Sequence, residues 1–146
     1  MDNNSFLKVI SKAFEAYLTT GSRSNSKLKV LHGAIASDLS VKLGPEYYLQ
    51  SLGHRIGKEG TMEGRYIDKV VDITISKASK QLAGVGVKYV MNNYSQNSNN
   101  YFENMLGETA NIRTTGKAYF QILVLPELLP YFNNDKVLTK WERITE

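Results

Sequence analysis

The stretch KVVDITISKASKQLAGVGVKYV, residues 69–90, decides the fold. Two runs rich in β-branched residues flank a short polar connection, a pattern that predicts two neighbouring strands. Each run contains one charged residue, Asp72 in the first and Lys88 in the second. An unpaired buried charge is costly. Because the two residues are 16 positions apart, we expect their side chains to meet across the sheet.

Two helices are predicted upstream of this stretch. The first has an apolar face that runs from Phe6 to Tyr17, with candidate capping residues at positions 3–5. The second has apolar residues at helical spacing between positions 28 and 39, and Gly44 is its stop signal. Both helices therefore precede the predicted strands.

The remaining segments complete an α/β (α+β) pattern. We expect one domain over residues 1–146, with a central mixed sheet of four to five strands flanked by helices. The unfinished last segment indicates either a piece of a longer protein or a naturally short chain. The predicted elements are a strand at 47–53, a glycine-rich hairpin at 54–69, a helix at 98–112 capped by Asn97 or Ser98, a strand at 117–126 buried on both faces, a turn at 126–132 and the start of a helix at 136–146.

Composition limits the class of protein. The chain has 146 residues, of which 42% are hydrophobic and 22% charged, which suits a folded domain. It contains no cysteine, which excludes disulfides and thiolate chemistry. No run approaches a membrane span and the start lacks a secretion signal, so we expect a cytoplasmic protein without membrane contact. The net charge of +4 is compatible with a nucleic-acid partner.

Asp72 and Lys88 suit phosphodiester hydrolysis. A carboxylate holds Mg²⁺, for which Mn²⁺ can substitute, and the backbone carbonyl of Val87 can complete the coordination. The cation neutralises charge on the phosphate, and a nearby ammonium orients the attacking water. Each charge also has a plain structural interpretation: Asp72 as an acceptor at a strand end, and Lys88 as a side chain that extends to solvent from a sheet edge.

The order helix, three strands, helix, strand, with aspartate on the second strand and lysine on the third, resembles the PD-(D/E)XK nuclease superfamily over residues 26–126. The resemblance implies a restriction-endonuclease-like core, a Mg²⁺-dependent endonuclease of type II restriction character, DNA as substrate and a homodimer. It makes Asp72 a metal ligand and Lys88 the catalytic lysine. The family has an acidic residue two positions before the lysine, whereas this chain has Gly86.

Another carboxylate must therefore replace the missing ligand, or metal binding is weakened. Such relatives often add an acid from the first core helix, where this chain offers His32 and Asp38. His32 also has an interpretation as a satisfied core histidine. The other candidate acids are Glu103 and Glu108 on the following helix, and Glu63 and Asp68 before the second strand.

An amide-rich tract, residues 92–104, follows the lysine. Asparagine and glutamine bind adenine edges, and tyrosine stacks on bases, so we expect this tract to contact DNA. The alternative is a structured loop whose amides bond its own backbone. The candidate DNA-binding residues are Asn92, Asn93, Tyr94, Gln96, Asn97, Asn99, Asn100 and Tyr101.

Three functional hypotheses follow. The first is the endonuclease. The second is a catalytically impaired nuclease-fold domain that binds DNA or assembles a larger restriction protein, because Gly86 removes an acid. The third is a domain for a small molecule or a protein, in which Asp72 and Lys88 form a structural ion pair.

Overall fold

The structure is a computed structural model that describes residues 1–21 and 23–144. Within these residues the chain forms three helices and eight strands. They are α1 (Asn3–Thr20), α2 (Ser26–Leu43), β1 (Tyr47–Ser51), β2 (Gly60–Met62), β3 (Lys69–Val71), β4 (Ile73–Lys77), β5 (Lys80–Tyr89), α3 (Tyr94–Arg113), β6 (Ala118–Val124), β7 (Leu128–Phe132) and β8 (Leu138–Arg143).

The two N-terminal helices lie where the sequence predicts them. The cap of α1 is Asp2, whose carboxylate accepts from the backbone N–H of Ser5 at 2.7 Å, so the prediction of a cap at residues 3–5 is wrong by one position. A short acceptor next to the first turn satisfies one of the free N–H groups of a helix. α2 ends at Leu43, immediately before the predicted stop at Gly44.

The main sheet has the strand order β1-β4-β5-β6. The β1–β4 and β4–β5 pairs are antiparallel, while β5 and β6 are parallel and are connected through α3. The prediction of a mixed sheet flanked by helices is therefore confirmed at that level. The first of the two strands predicted within 69–90, KVVDITIS at 69–76, is two strands, because the chain breaks at Asp72 between β3 and β4.

The two faces of the main sheet are covered differently. Helices α1 and α2 cover one face, where the apolar core forms around Leu31, Leu49, Ile73 and Val85. On the other face, a smaller cluster joins α3 to the β2–β3 pair and to β6; it consists of Met62, Val71, Ile112 and Tyr119. Because side chains of a strand alternate between faces, Lys88 of β5 projects to the α3 side, opposite to the core residue Val87.

Close backbone contact holds the loop after β1 against α2. Gly53 has φ +72°, which L side chains rarely adopt, and a Cβ on it would overlap the carbonyl of Lys29. A Cβ on Gly33 would lie only 2.6 Å from the carbonyl oxygen of Gly53. Two glycines thus let the loop approach α2 directly beside His32.

The C-terminal third departs most from the predictions. Strand β6 is an edge strand whose Phe120 is 58% exposed, so the predicted burial on both faces is wrong. A continuous apolar run does not distinguish an edge strand from a central one. The predicted turn at 126–132 is strand β7, and the predicted helix at 136–146 is strand β8 up to Arg143; residues 145–146 lie outside the described part. The two strands form a hairpin connected by the typical turn residues Asn133, Asn134 and Asp135. These predictions missed that signal.

Helix α3 is longer than predicted. It begins at Tyr94 rather than near Ser98, so most of the amide-rich tract is helical. Its N-cap is Asn93 in the left-handed conformation, not Asn97 or Ser98. A carboxylate from the hairpin supports this polar first turn, because Glu142 accepts from both the backbone N–H and the hydroxyl of Ser95. In residues 1–21 and 23–144, no helix has the length and apolar character needed to cross a membrane.

Candidate metal centre and cleft

Asp72 occupies the break between β3 and β4, beside the middle of the sheet. Its Oδ2 accepts a hydrogen bond from the backbone N–H of Val87 on β5 at 2.7 Å. This bond fixes the carboxylate against the neighbouring strand while Oδ1 remains directed toward α2. Asp72 therefore serves as a strand-end acceptor, as one interpretation predicted, and still presents an oxygen to its surroundings.

His32 faces that oxygen from α2. Its side chain is 1% exposed, and within the described residues neither ring nitrogen has a hydrogen-bond partner. Nδ1 lies 3.7 Å from Asp72 Oδ1 and 3.9 Å from Glu59 Oε1, distances too long for hydrogen bonds. Burial lowers the pKa of His32, against the opposing effect of the Asp72 carboxylate, so the imidazole is held neutral. The interpretation as a satisfied core histidine does not describe this side chain.

Glu59 completes the group from the loop before β2. Burial raises the pKa of its carboxyl, and the negative charge of Asp72 raises it further. One donor atom from each of His32, Glu59 and Asp72 lies within 4.8 Å of the others. Donors that share one ion at about 2.1 Å are themselves roughly 3 to 4 Å apart, so these residues can hold a divalent cation after small adjustments.

A cavity of about 540 Å³ extends from this group to α3. We call it the Asp72 cleft; its lining includes His32, Asp72, Gly86, Lys88, Tyr101 and Gln121. Lys88 is exposed, and its Nζ lies 5.2 Å from the centroid of the Tyr101 ring. Within residues 1–21 and 23–144, Lys88 makes no ion pair with Asp72, so the predicted direct contact of these charges is not formed.

The candidate substitute acids lie in different places. Glu108 lines the cleft, where it bonds the Tyr119 hydroxyl at 3.3 Å and pairs with Lys69 at 3.1 Å. Glu103 is exposed on α3 and lines a neighbouring cavity. Glu63 pairs with Lys117 at 3.2 Å, and Asp68 is exposed in the loop before β3.

Asp38 is the remaining candidate. It lies on α2 but pairs with Lys42 at 3.1 Å and with the chain's N-terminal amine rather than with the cleft. The described cluster at Asp72 is formed with His32 and Glu59 instead.

The amide-rich tract divides into structural and exposed residues. Asn93 bonds both backbone groups of Phe132, donating at 2.8 Å and accepting at 2.9 Å. Asn92 donates to the Tyr17 hydroxyl, and Asn97 to the Asn93 carbonyl. Asn93 and Asn97 bond the backbone, as the structural alternative predicted, whereas Asn92 bonds a side chain and most of the tract is helical rather than a loop.

The other members of the tract lie on α3. Gln96, Asn99 and Asn100 are exposed at helical spacing, so they share a solvent face. Tyr94 stacks on Tyr101 with ring centroids 6.4 Å apart, and the Tyr101 ring in turn lies next to the Lys88 ammonium. The tract thus offers an amide face and, beside the cleft, a pair of aromatic rings.

Two residues at or beside the cleft, Glu59 and Gln121, were not predicted from the sequence. Glu59 lies 13 positions before Asp72 in a loop without a recognisable motif. The glycines at 57 and 60 on either side were the available signal: Gly57 has a positive φ, and Gly60 lies against the Thr74 side chain. Gln121 lies in an apolar strand, and its polarity there was the corresponding signal.

Comparison with protein-family models, with curated proteins and with solved structures found no match for this chain. The function must therefore be argued from the chemistry of the Asp72 cleft.

Proposed function

We propose that this chain is a Mg²⁺-dependent endonuclease of restriction type, with a PD-(D/E)XK-like core, that hydrolyses DNA phosphodiester bonds. The observation that carries the proposal is the convergence of His32, Glu59 and Asp72 at the edge of a cleft that also presents Lys88. The strand order and the parallel β5–β6 pair around that cleft agree with the resemblance in the sequence.

The donor set fits a divalent cation. Two carboxylates and one neutral imidazole suit Mg²⁺ less well than Mn²⁺, which accepts nitrogen more readily. The orphaned nitrogens of His32 are the best support, because a buried polar atom normally has a partner. When bound, the cation would neutralise phosphate charge and lower the pKa of a coordinated water.

Lys88 would supply a second positive charge, in addition to that of the cation. Its ammonium is solvent-accessible and is held beside the Tyr101 ring, which favours a cation over its face. From this position at the cleft, Lys88 can approach a phosphate oxygen or an attacking water. The 10-residue strand β5 holds its backbone through the parallel pairing with β6, in which Lys88 is in register with Leu123.

DNA would approach along α3. The exposed amides of Gln96, Asn99 and Asn100 can bond bases or phosphates, and the Tyr94–Tyr101 pair can stack. The net charge of +4 favours a polyanion. A homodimer would place two clefts on the two DNA strands, as a restriction-type enzyme requires.

Cleavage of supercoiled plasmid in Mg²⁺ or Mn²⁺ tests the proposal. We expect Asp72→Asn and Lys88→Met to reduce the rate at least ~100-fold, since each removes a charge that acts on the phosphate. Lys80→Met is the matched control, because Lys80 is exposed at the other end of the same strand. Cleavage by Asp72→Asn at the wild-type rate would contradict the assignment.

A second candidate is a DNA-binding or assembly domain of a larger restriction protein that has lost hydrolysis. The observation that favours it is Gly86, which brings no carboxylate to the cleft. This candidate predicts salt-dependent DNA binding that is unchanged by Asp72→Asn, together with no measurable Mn²⁺ binding.

A further inference from the structure

The space beside Gly86 is filled from the adjacent strand. Gly86 on β5 pairs in register with Gln121 on β6, and both line the Asp72 cleft. A Cβ on residue 86 would lie 2.5 Å from Gln121 Oε1, 2.7 Å from the Tyr119 hydroxyl oxygen and 3.1 Å from Gln121 Cδ. A side chain at position 86 would therefore displace the Gln121 carboxamide.

The position of that oxygen is informative. In an aspartate, each carboxylate oxygen lies about 2.4 Å from Cβ by standard bond lengths. Gln121 Oε1 is 2.5 Å from the Cβ position of residue 86, so it lies at the distance that an aspartate oxygen on residue 86 would have. An aspartate side chain on residue 86 and the Gln121 carboxamide in its present position cannot both fit beside β5.

Neighbouring contacts orient the amide. Nε2 of Gln121 donates to the Met105 carbonyl on α3 at 3.4 Å, which directs Oε1 back toward β5. The next residue of β5 is Val87, whose N–H holds the Asp72 carboxylate. Asp72 also lies across from Gly86, one step beyond the register pair Ile73–Val85. The Gln121 oxygen and the Asp72 carboxylate therefore both lie next to the Gly86–Val87 segment of β5.

We propose that Gln121 replaces the acidic residue missing at position 86 and supplies a neutral oxygen ligand to the cation held by His32, Glu59 and Asp72. This inference rests on the proposed metal centre. Amide oxygens coordinate hard divalent cations, although less strongly than carboxylates. Compared with an acid at position 86, Gln121 would still supply an oxygen ligand but would bring no negative charge to the centre.

Mn²⁺ affinity, measured by titration calorimetry and by the EPR signal of free Mn²⁺, tests the inference without reference to cleavage. We expect Gln121→Ala to weaken binding about tenfold and Gln121→Glu to strengthen it by a similar factor, because it restores the charge. Gln81→Ala is the matched control: it removes a glutamine that bonds the Thr61 carbonyl at the far end of β5, and should leave Mn²⁺ affinity unchanged.

An exchange of the two positions provides the sharper test. Gly86→Asp alone should lower thermal stability without improving Mn²⁺ affinity, because its side chain meets Gln121 and Tyr119. Gly86→Asp combined with Gln121→Ala and Tyr119→Phe, which clears both contacts, should recover affinity to at least the wild-type value. Equal Mn²⁺ affinities of wild type, Gln121→Ala and the control would overturn the role of Gln121. The proposed metal centre would still stand in that case if Mn²⁺ binding depends on Asp72. Absence of Mn²⁺ binding by the wild type would overturn both.

Discussion

Replacing Asp72 by alanine and by asparagine should separate its two contributions. In the structure the carboxylate anchors β5 through the Val87 N–H at 2.7 Å, and it also faces His32 and Glu59. Alanine removes both the oxygen and the charge. Asparagine retains an oxygen that can accept from Val87 but removes the charge.

The expected magnitudes follow from these contacts. A hydrogen bond to a charged group contributes about 1.5–3 kcal/mol, and the Val87 N–H donates such a bond to the Asp72 carboxylate. Removing the carboxylate also relieves repulsion with Glu59, whose carboxyl pKa is raised by burial and by Asp72. We therefore expect Asp72→Ala to lose about 1–2 kcal/mol in the free energy of unfolding, whereas Asp72→Asn should stay within about 1 kcal/mol of wild type.

Urea unfolding in EDTA, followed by circular dichroism, measures these values. Asp68→Ala is the control, because Asp68 is an exposed aspartate four residues away. A loss as large for Asp72→Asn as for Asp72→Ala would show that the negative charge itself stabilises the metal-free fold. That result would refute the reasoning.

Three further outcomes are expected. Mn²⁺ at 100 times its dissociation constant should stabilise the wild type by about 2.7 kcal/mol in thermal unfolding, and Glu59→Gln should reduce this gain while leaving the metal-free protein at least as stable. Gly53→Ala should cost roughly 2–4 kcal/mol in urea unfolding, because its positive φ and close backbone contact exclude a side chain; wild-type stability would contradict this contact. Asn93→Ala should lower the free energy of unfolding by about 1–3 kcal/mol, because it loses two hydrogen bonds to Phe132. Asn99→Ala should leave stability unchanged and weaken DNA binding in a fluorescence titration. The reverse pattern would contradict the division of the tract into structural and exposed residues.

The sequence predicted the elements whose signals are local. Helices α1 and α2, and strands β1 and β5, follow from apolar spacing and from stop signals such as Gly44. Strand β8 was missed because its pattern depends on a partner: Glu142 is buried only where the hairpin meets the first turn of α3. Its charged residues, taken alone, favour an exposed helix.

The candidate site was predictable only in part, because some of its residues have a local sequence signal and others do not. Asp72 and Lys88 interrupt apolar strands, so their sequence context reveals them. Glu59 reaches the site only because β2 pairs with β3 and brings the preceding loop alongside Asp72. That placement depends on tertiary pairing, which spacing along the chain does not encode.

The chemistry of the cluster argues against a purely structural role. His32 is buried, and burial lowers its pKa, so a neutral ring faces two carboxylates. A neutral imidazole has one N–H to donate, yet Nδ1 is 3.7 Å from Asp72 and 3.9 Å from Glu59, beyond hydrogen-bond distance. A group selected for stability alone would close these gaps or be apolar. In the proposed function, a cation between the three side chains would take one ring nitrogen of His32 and an oxygen from each carboxylate, at the edge of the cleft where Lys88 and the aromatic rings of α3 would receive a phosphate backbone.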